Sequence, residues 1–262
     1  MDQTLQPGRS VRTLGWTVIC FLVLPILVIF PVSVTDQRFL SMPQQGISLQ
    51  HYANLFTSPE WLSSIGQSLV IGVASSAIAV TAGTLCAIGC WRLSSRAGEI
   101  VRSLMLVPIV VPTIVYAVGI YRFWVDLRLL DTYAGVILVH VVTGIPYVVI
   151  TVSTALAGFD QRLEQAARNL GASMPQTLWR VVLPSILPGV VSGAIFAFIQ
   201  SWDELVIVLF IASRAIFTLP RRIWDGINEH LDPTMAAVAS VLILLSALLL
   251  VLDLSIRRKR EG

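Results

Sequence analysis

Asp203 and Glu204 are the residues whose chemistry most needs an explanation. They stand between Ile199-Gln200 and the apolar run Leu205–Ile211, with Trp202 just before them. A carboxylate facing lipid costs about 2.5–3.5 kcal/mol on insertion scales, so the pair must face a wet cavity, a partner or an outer interface. Two carboxylates beside an indole suit an organic cation, through charge and cation–π contact. The competing reading is a structural pair bonded to Arg214 or to a second polypeptide. His140 also falls in an apolar run, where an ionisable group is either functional or a hydrogen bond between helices. Cys86 and Cys90 share a helix face, but no histidine or carboxylate is near them in sequence to complete a metal site. No serine has a Gly-x-Ser-x-Gly context. The expectation is a chain with no catalytic residue, no metal and no cofactor of its own.

The elements that must carry these groups are membrane helices. The 262 residues are 55% hydrophobic and 13% charged, against about 25% charged in a soluble domain. The net charge of +3 does not point to nucleic acid, because the basic residues form no patch with interleaved aromatics. Hydropathy predicts six spans: 16–34, 68–91, 104–124, 133–156, 186–212 and 235–254. Each is long enough for roughly 30 Å of hydrocarbon. The fifth is too long for one straight crossing and holds Asp203 and Glu204, so a bend, break or surface return is expected near Ser201. The first follows Arg9 and Arg12 but has no small-x-small cleavage site after it, and reads as a retained helix.

Arginine and lysine set the orientation. With both termini cytoplasmic, twelve of the 18 basic residues lie inside, including Arg92, Arg96, Arg168 and the cluster Arg257–Arg260. Six lie outside, among them Arg38, Arg128 and Arg214. The residues 35–64 and the segment around Trp224 are then expected on the outer side, and Ser94 on the cytoplasmic side. Ser75, Ala79, Gly83 and Ala87 repeat every four residues, and Gly189 and Gly193 form a GxxxG; such small residues allow close helix approach in lipid. Pro108 and Pro112 in the third span, and Pro146 in the fourth, mark fixed kinks or gating hinges.

The most informative segment is the loop 160–184. The stretch Arg162 to Leu170 reads as a short helix with a small, flat face at Ala166 and Ala167. Gly171 then supplies a left-handed or closely approached position. Thr177 to Arg180 is a second short helical stretch, and Pro184 and Pro188 suit the start of the fifth span. A helix–glycine–helix loop between spans is an extramembrane knob that a cytoplasmic partner can grip.

This loop resembles the signature of the permease subunits of binding-protein-dependent ABC importers: Glu-Ala-Ala, three residues, Gly, nine residues, Ile, one residue, Leu-Pro. Ala166, Ala167, Gly171, Leu183 and Pro184 keep that spacing; Val181 replaces the isoleucine, and Gln165 stands at the glutamate position with Glu164 one residue earlier. Further segments are similar to the spermidine/putrescine branch: 107–112, 144–147, Ser201-Trp202-Asp203-Glu204-Leu205, 218–225 and 232–237. The resemblance implies an all-α integral membrane protein with six transmembrane helices and a cytoplasmic coupling helix, the type I importer permease fold, as one permease domain over 1–262. It implies a second permease subunit, two ATP-binding subunits that hold ATP and Mg, a periplasmic solute-binding protein and the bacterial inner membrane. It assigns Glu164 to Gly171 to docking in an ATPase cleft, and offers Arg221, Trp224 and Asp225 as contacts for the binding protein. Related permeases handle polyamines, ferric ion, thiamine and other solutes.

The single lysine, Lys259, agrees with a division of labour. A phosphate-binding loop needs Gly-x-x-x-x-Gly-Lys before a helix, and no such segment exists, so if transport is ATP-driven the ATPase must be another chain. A secondary transporter is the rival class, but it commonly shows repeats between its halves, and none is evident. A membrane-embedded enzyme would need clustered catalytic groups, which are absent.

Overall fold

The computed structural model describes residues 8–93, 95–230 and 232–261. Ser94 lies outside the described residues, and the side chains of Arg257–Arg260 lie outside the described side chains. The chain divides into two units, residues 1–62 with 223–262 and residues 63–222.

In the first unit, α1 (Arg9–Leu27) and α2 (Ile29–Ser33) carry the first apolar run. They begin seven residues ahead of the predicted span and break at Val28, close to Pro25 and Pro31. No side chain of α1 is buried. Helix α3 (Gln50–Thr57) follows, and α13 (Thr234–Glu261) closes the chain. Polar side chains tie α2, α3 and α13 together. Tyr52 Oη lies 2.8 Å from Ser33 Oγ and 2.6 Å from Ser240 Oγ, and Asn54 Nδ2 donates to Thr234 Oγ1 at 2.9 Å. Between α2 and α3, Asp36 accepts from the Gln44 and Gln45 backbone N–H groups at 2.9 and 3.2 Å. These bonds, the Gln44 one foremost, hold its carboxyl below the usual range.

Helix α4 (Pro59–Leu93) leads into the second unit, followed by α5 (Arg96–Val110), α6 (Thr113–Asp126) and α7 (Tyr133–Ala157). Then come α8 (Gln161–Asn169), α9 (Met174–Thr177), a wide π-type turn over Leu178–Val182, and α10 (Leu183–Trp202). Helix α11 (Val206–Ile211) ends the unit's apolar part, and α12 (Leu219–Asp225) leads out of it. The core is the packing of α7 on α10. A Cβ on Gly193 would fall 2.6 Å from Thr151 Oγ1 and 3.0 Å from Val148 Cα, and one on Gly189 2.6 Å from the Ala155 Cβ. The GxxxG is therefore the contact face that its spacing predicted. The small ridge of α4 packs the same way. Ala79 and Ala87 are buried, a Cβ on Gly83 would meet Val148 at 2.8 Å, and Ser75 donates to Ser201 at 3.1 Å.

Two spans depart from straight crossings. The third, predicted over 104–124, is not one helix: α5 and α6 meet at 104° around Val111-Pro112. Pro112 has no N–H to continue the ladder, and it forces Val111 into an extended conformation with ψ 127°. The fifth ends at Trp202, beside the Ser201 break point that the sequence predicts, and α11 restarts at Val206. Pro146, by contrast, stays inside a continuous α7. Among the described residues four helices are long and apolar enough to cross a membrane, five when the bent pair is one span, and Thr234–Leu248 is a shorter apolar stretch.

Candidate functional site

The loop 160–184 is built by local rules. Asp160 caps α8 by accepting from the Arg162 backbone N–H at 2.9 Å. The helix stops before Gly171, whose φ of +85° is the left-handed one of the two alternatives that the sequence offered. There Gly171 N–H donates to the Arg168 carbonyl at 3.0 Å and Ala172 N–H to that of Ala167 at 3.1 Å. Ser173 and Gln176 then form a reciprocal capping box that starts α9. Pro184 cannot donate to the carbonyl of Arg180, and the chain widens into the π turn just before it. Leu183 is half-buried against the α4/α7 core, and Pro184 stands exposed at the start of α10.

The loop presents apolar side chains to its surroundings. Leu170 is 89% exposed and Trp179 71%, and Leu163, Gln165 and Ala166 are exposed as well. Glu164 is different. It turns inward to Arg92 at the end of α4, 3.0 Å away, with both side chains mostly covered. The Arg92 guanidinium also lies 5.5 Å from the Trp91 ring, which meets Phe159 edge-on at 5.9 Å. Gln165, at the usual glutamate position, thus points outward without charge while the acidic group one residue earlier is held within the chain. Sequence reasoning missed this pair. Arg92 had been counted only as a topology signal.

The acidic pair sits where α10 ends. Asp203 is exposed and caps α10, its N–H donating to the Ile199 carbonyl at 3.0 Å. Glu204 is 8% exposed. It accepts from Ile207 N–H at 3.0 Å and from Gln200 Nε2 at 3.3 Å, and Gln200 in turn accepts from Tyr147 Oη at 3.2 Å. No ion pair joins Arg214 to either carboxylate among the described residues. That corrects the Arg214 alternative: Glu204 is satisfied locally by the N-terminal turn of α11, so it needs no cation from the chain. Trp202 stacks on Phe198 with ring centres 5.7 Å apart. His140 lies behind them, 1% exposed, with Nδ1 2.7 Å from Ser201 Oγ. That contact joins α7 to α10, as the helix-to-helix reading expects.

A clamp that the sequence did not reveal ties two loops together. Asp131, at φ +57°, accepts four backbone N–H bonds from Ser213, Arg214, Ala215 and Ile216, at 2.9–3.2 Å. Partial burial raises the Asp131 carboxyl, but the four N–H donors outweigh it and bring it to about 2. Nearby, Arg221 and Arg222 lie 4.6 and 4.3 Å from the Phe217 ring centre. Arg221 also donates to the Ala212 carbonyl, and Arg222 Nε to Ser64 Oγ at 3.2 Å. Arg221 is thus engaged within the chain, whereas Trp224 is 45% exposed. Cys86 and Cys90 have sulfurs 4.0 Å apart, and among the described residues no three His, Cys, Asp or Glu side chains group as metal ligands.

The comparisons agree with this architecture. The chain is 30% identical over 246 residues to the spermidine/putrescine transport system permease protein PotC of Haemophilus influenzae, covering 94% of this chain and 95% of that one. It is 27% identical over 237 residues to the putrescine transport system permease protein PotI of Escherichia coli, with 88% and 83% covered. The fold is similar to a chain of a bacterial ABC transporter involved in import of the acidic polysaccharide alginate, with TM-score 0.63, 17% identity, and 97% and 99% covered. Residues 79–261 match a family that spans the coupling loop, the α7–α10 core and the acidic pair, and by that match the chain belongs to the inner membrane components of binding-protein-dependent transport systems.

Proposed function

We propose that this chain is one half of the translocation path of an ATP-driven importer for a polyamine, spermidine or putrescine. The observation that carries the reading is the coupling loop. A capped α8, a left-handed Gly171, a second capped helix and exposed Leu163, Leu170 and Trp179 make a rigid apolar knob. Such a knob suits insertion into a cleft on an ATP-binding subunit, which would bind the ATP and Mg that this chain has no loop to hold. The polyamine substrate rests on the names of the curated relatives and on an acidic, aromatic cluster at Trp202, Asp203 and Glu204.

In this reading residues 1–262 act as one permease domain with six crossings and both termini cytoplasmic. A second permease forms the other half of the path, and a periplasmic binding protein docks on the outer side. The fully exposed α1 supports contact with lipid or with that second permease. Trp224 is the better-placed candidate for the binding protein, since it is exposed while Arg221 is bonded within the chain.

The test is uptake of labelled putrescine and spermidine into proteoliposomes that hold the whole complex. Asp203→Asn and Glu204→Gln are each expected to slow uptake while basal ATPase activity, the assembly control, stays normal. Normal uptake in both variants removes the pair from the path. Failed assembly gives it a structural role.

A further inference from the structure

The break between α5 and α6 holds chemistry that neither the coupling loop nor the acidic pair uses. Pro112 has no N–H, so the Pro108 carbonyl loses the donor that a continuous helix would supply. The chain then turns by 104°, and the carbonyls of Ile109, Val110 and Val111 also receive no backbone hydrogen bond among the described residues. Pro108, Ile109 and Val111 line a cavity of about 90 Å³. Facing them are Tyr116 of α6, Thr143 and Tyr147 of α7, and Gln200 of α10.

The lining is rich in acceptors. Three of its lining residues have carbonyls left without a backbone donor, two tyrosines and two threonines add hydroxyl oxygens, and none of the lining residues is cationic. Tyr147 donates its proton to Gln200 Oε1 at 3.2 Å, which leaves the phenol lone pairs for a donor in the cavity. Gln200 Nε2 is turned to Glu204 at 3.3 Å, so a carboxylate stands one residue behind the wall. The Tyr116 hydroxyl makes no hydrogen bond within the described chain. A carbonyl oxygen has no proton to give an anion, and no lining residue carries a positive charge to offset one. A primary ammonium offers three donors and no acceptor, and two aromatic rings favour its charge. Broken helices supply cations with carbonyl ligands in this way elsewhere in membrane transport. The space has room for the terminal N–C–C of an alkylamine.

We propose that the cavity at the α5–α6 break is a subsite for the terminal primary ammonium of an alkylamine substrate. It rests on the polyamine reading above and adds to it a place where the chain recognises N–H donors rather than charge alone. A quaternary ammonium of the same charge has no N–H to offer and gains nothing from the carbonyls.

Thr143→Cys in the whole purified complex tests this directly, with methyl methanethiosulfonate as a small thiol reagent and the unmodified complex as background. n-Propylamine is expected to protect the thiol, and n-propyltrimethylammonium to leave it reactive. Adding Tyr116→Phe, which removes no hydrogen bond within the chain, should raise the half-protecting propylamine concentration about fivefold, the value of one neutral hydrogen bond. A thiol that the reagent never reaches, no protection by propylamine, equal protection by the quaternary ion, or no effect of Tyr116→Phe each overturns the subsite. Putrescine uptake by the unmodified complex is measured alongside. Its absence defeats the polyamine reading and the subsite with it, whereas normal uptake with failed protection defeats the subsite alone.

Discussion

Arg92, in the last turn of α4, closes to 3.0 Å on Glu164, in the first turn of α8. Each charge sits at the helix end that its sign favours, and both side chains are mostly covered. The pair is therefore a strut between the long apolar α4 and α8. An exposed pair contributes about 0–1 kcal/mol, and breaking a fully buried one costs about 3–5 kcal/mol; this one lies between. Arg92→Gln and Glu164→Gln are each expected to raise the ATP hydrolysed per solute imported. The exchange Arg92→Glu with Glu164→Arg should restore part of the coupling. Unchanged stoichiometry in both single variants would remove the strut from the mechanism.

At the tip of the coupling loop, Gly171 has φ +85°, and proline is fixed near −65°. Gly171→Pro should destroy the turn, and Ala167→Arg should place a bulky cation on the small face. Both are expected to abolish uptake while the permease still inserts in the membrane. Co-purification with the ATP-binding subunit in mild detergent checks the cause: it should be lost in both variants, and retention with normal transport would dismiss the docking assignment.

The Asp131 clamp carries a pH dependence of known sign. Its folded pKa is about 2 against an ordinary 3.8. A depressed carboxyl stabilises the folded loops above its unfolded pKa, and that contribution is lost as pH falls through the folded value. The loop 213–216 should therefore hold firm at neutral pH and loosen only as pH drops from about 4 towards 2. Asp131→Asn cannot accept four N–H bonds on one carbonyl oxygen. It should open the loop at pH 7, read as faster hydrogen exchange at 213–216.

Membrane topology is checked by cysteine labelling. A thiol at Gln45 is expected to react with an impermeant reagent from the periplasmic side, and one at Ser94 only after the cytoplasmic side is opened. The reverse pattern would invert the proposed orientation.

Much of this was legible before any coordinates. The four-residue spacing of Ser75, Ala79, Gly83 and Ala87 and the Gly189–Gly193 pair announced their contact faces, because only small residues let helices meet so closely in lipid. The helix–glycine–helix structure of the loop 160–184 was equally plain, since its caps and its glycine act over a few residues. Hydropathy could not show that Pro112 would turn the third span through 104° while Pro146 left α7 continuous. The difference lies in what surrounds each proline: Pro146 is buried within the α7 packing, and Pro112 is exposed. Arg92–Glu164 and Asp131 with its four donors join residues 72 and more than 80 positions apart, beyond the reach of any local pattern.

The π turn at Leu178–Val182 sets the phase of everything after it. A π turn accommodates one more residue than the α-helical path would, and each residue of an α-helix advances the face by about 100°. Deleting one residue there would straighten the path into α10 and swing its inward stripe by about that angle. Gly189 and Gly193 would turn away from Thr151 and Ala155, and Gln200 would leave Tyr147. The length of this five-residue segment thus acts as a reading frame for the helix that bears the acidic pair, which makes it a place where single-residue insertions and deletions should be selected against even though none of its side chains need touch solute.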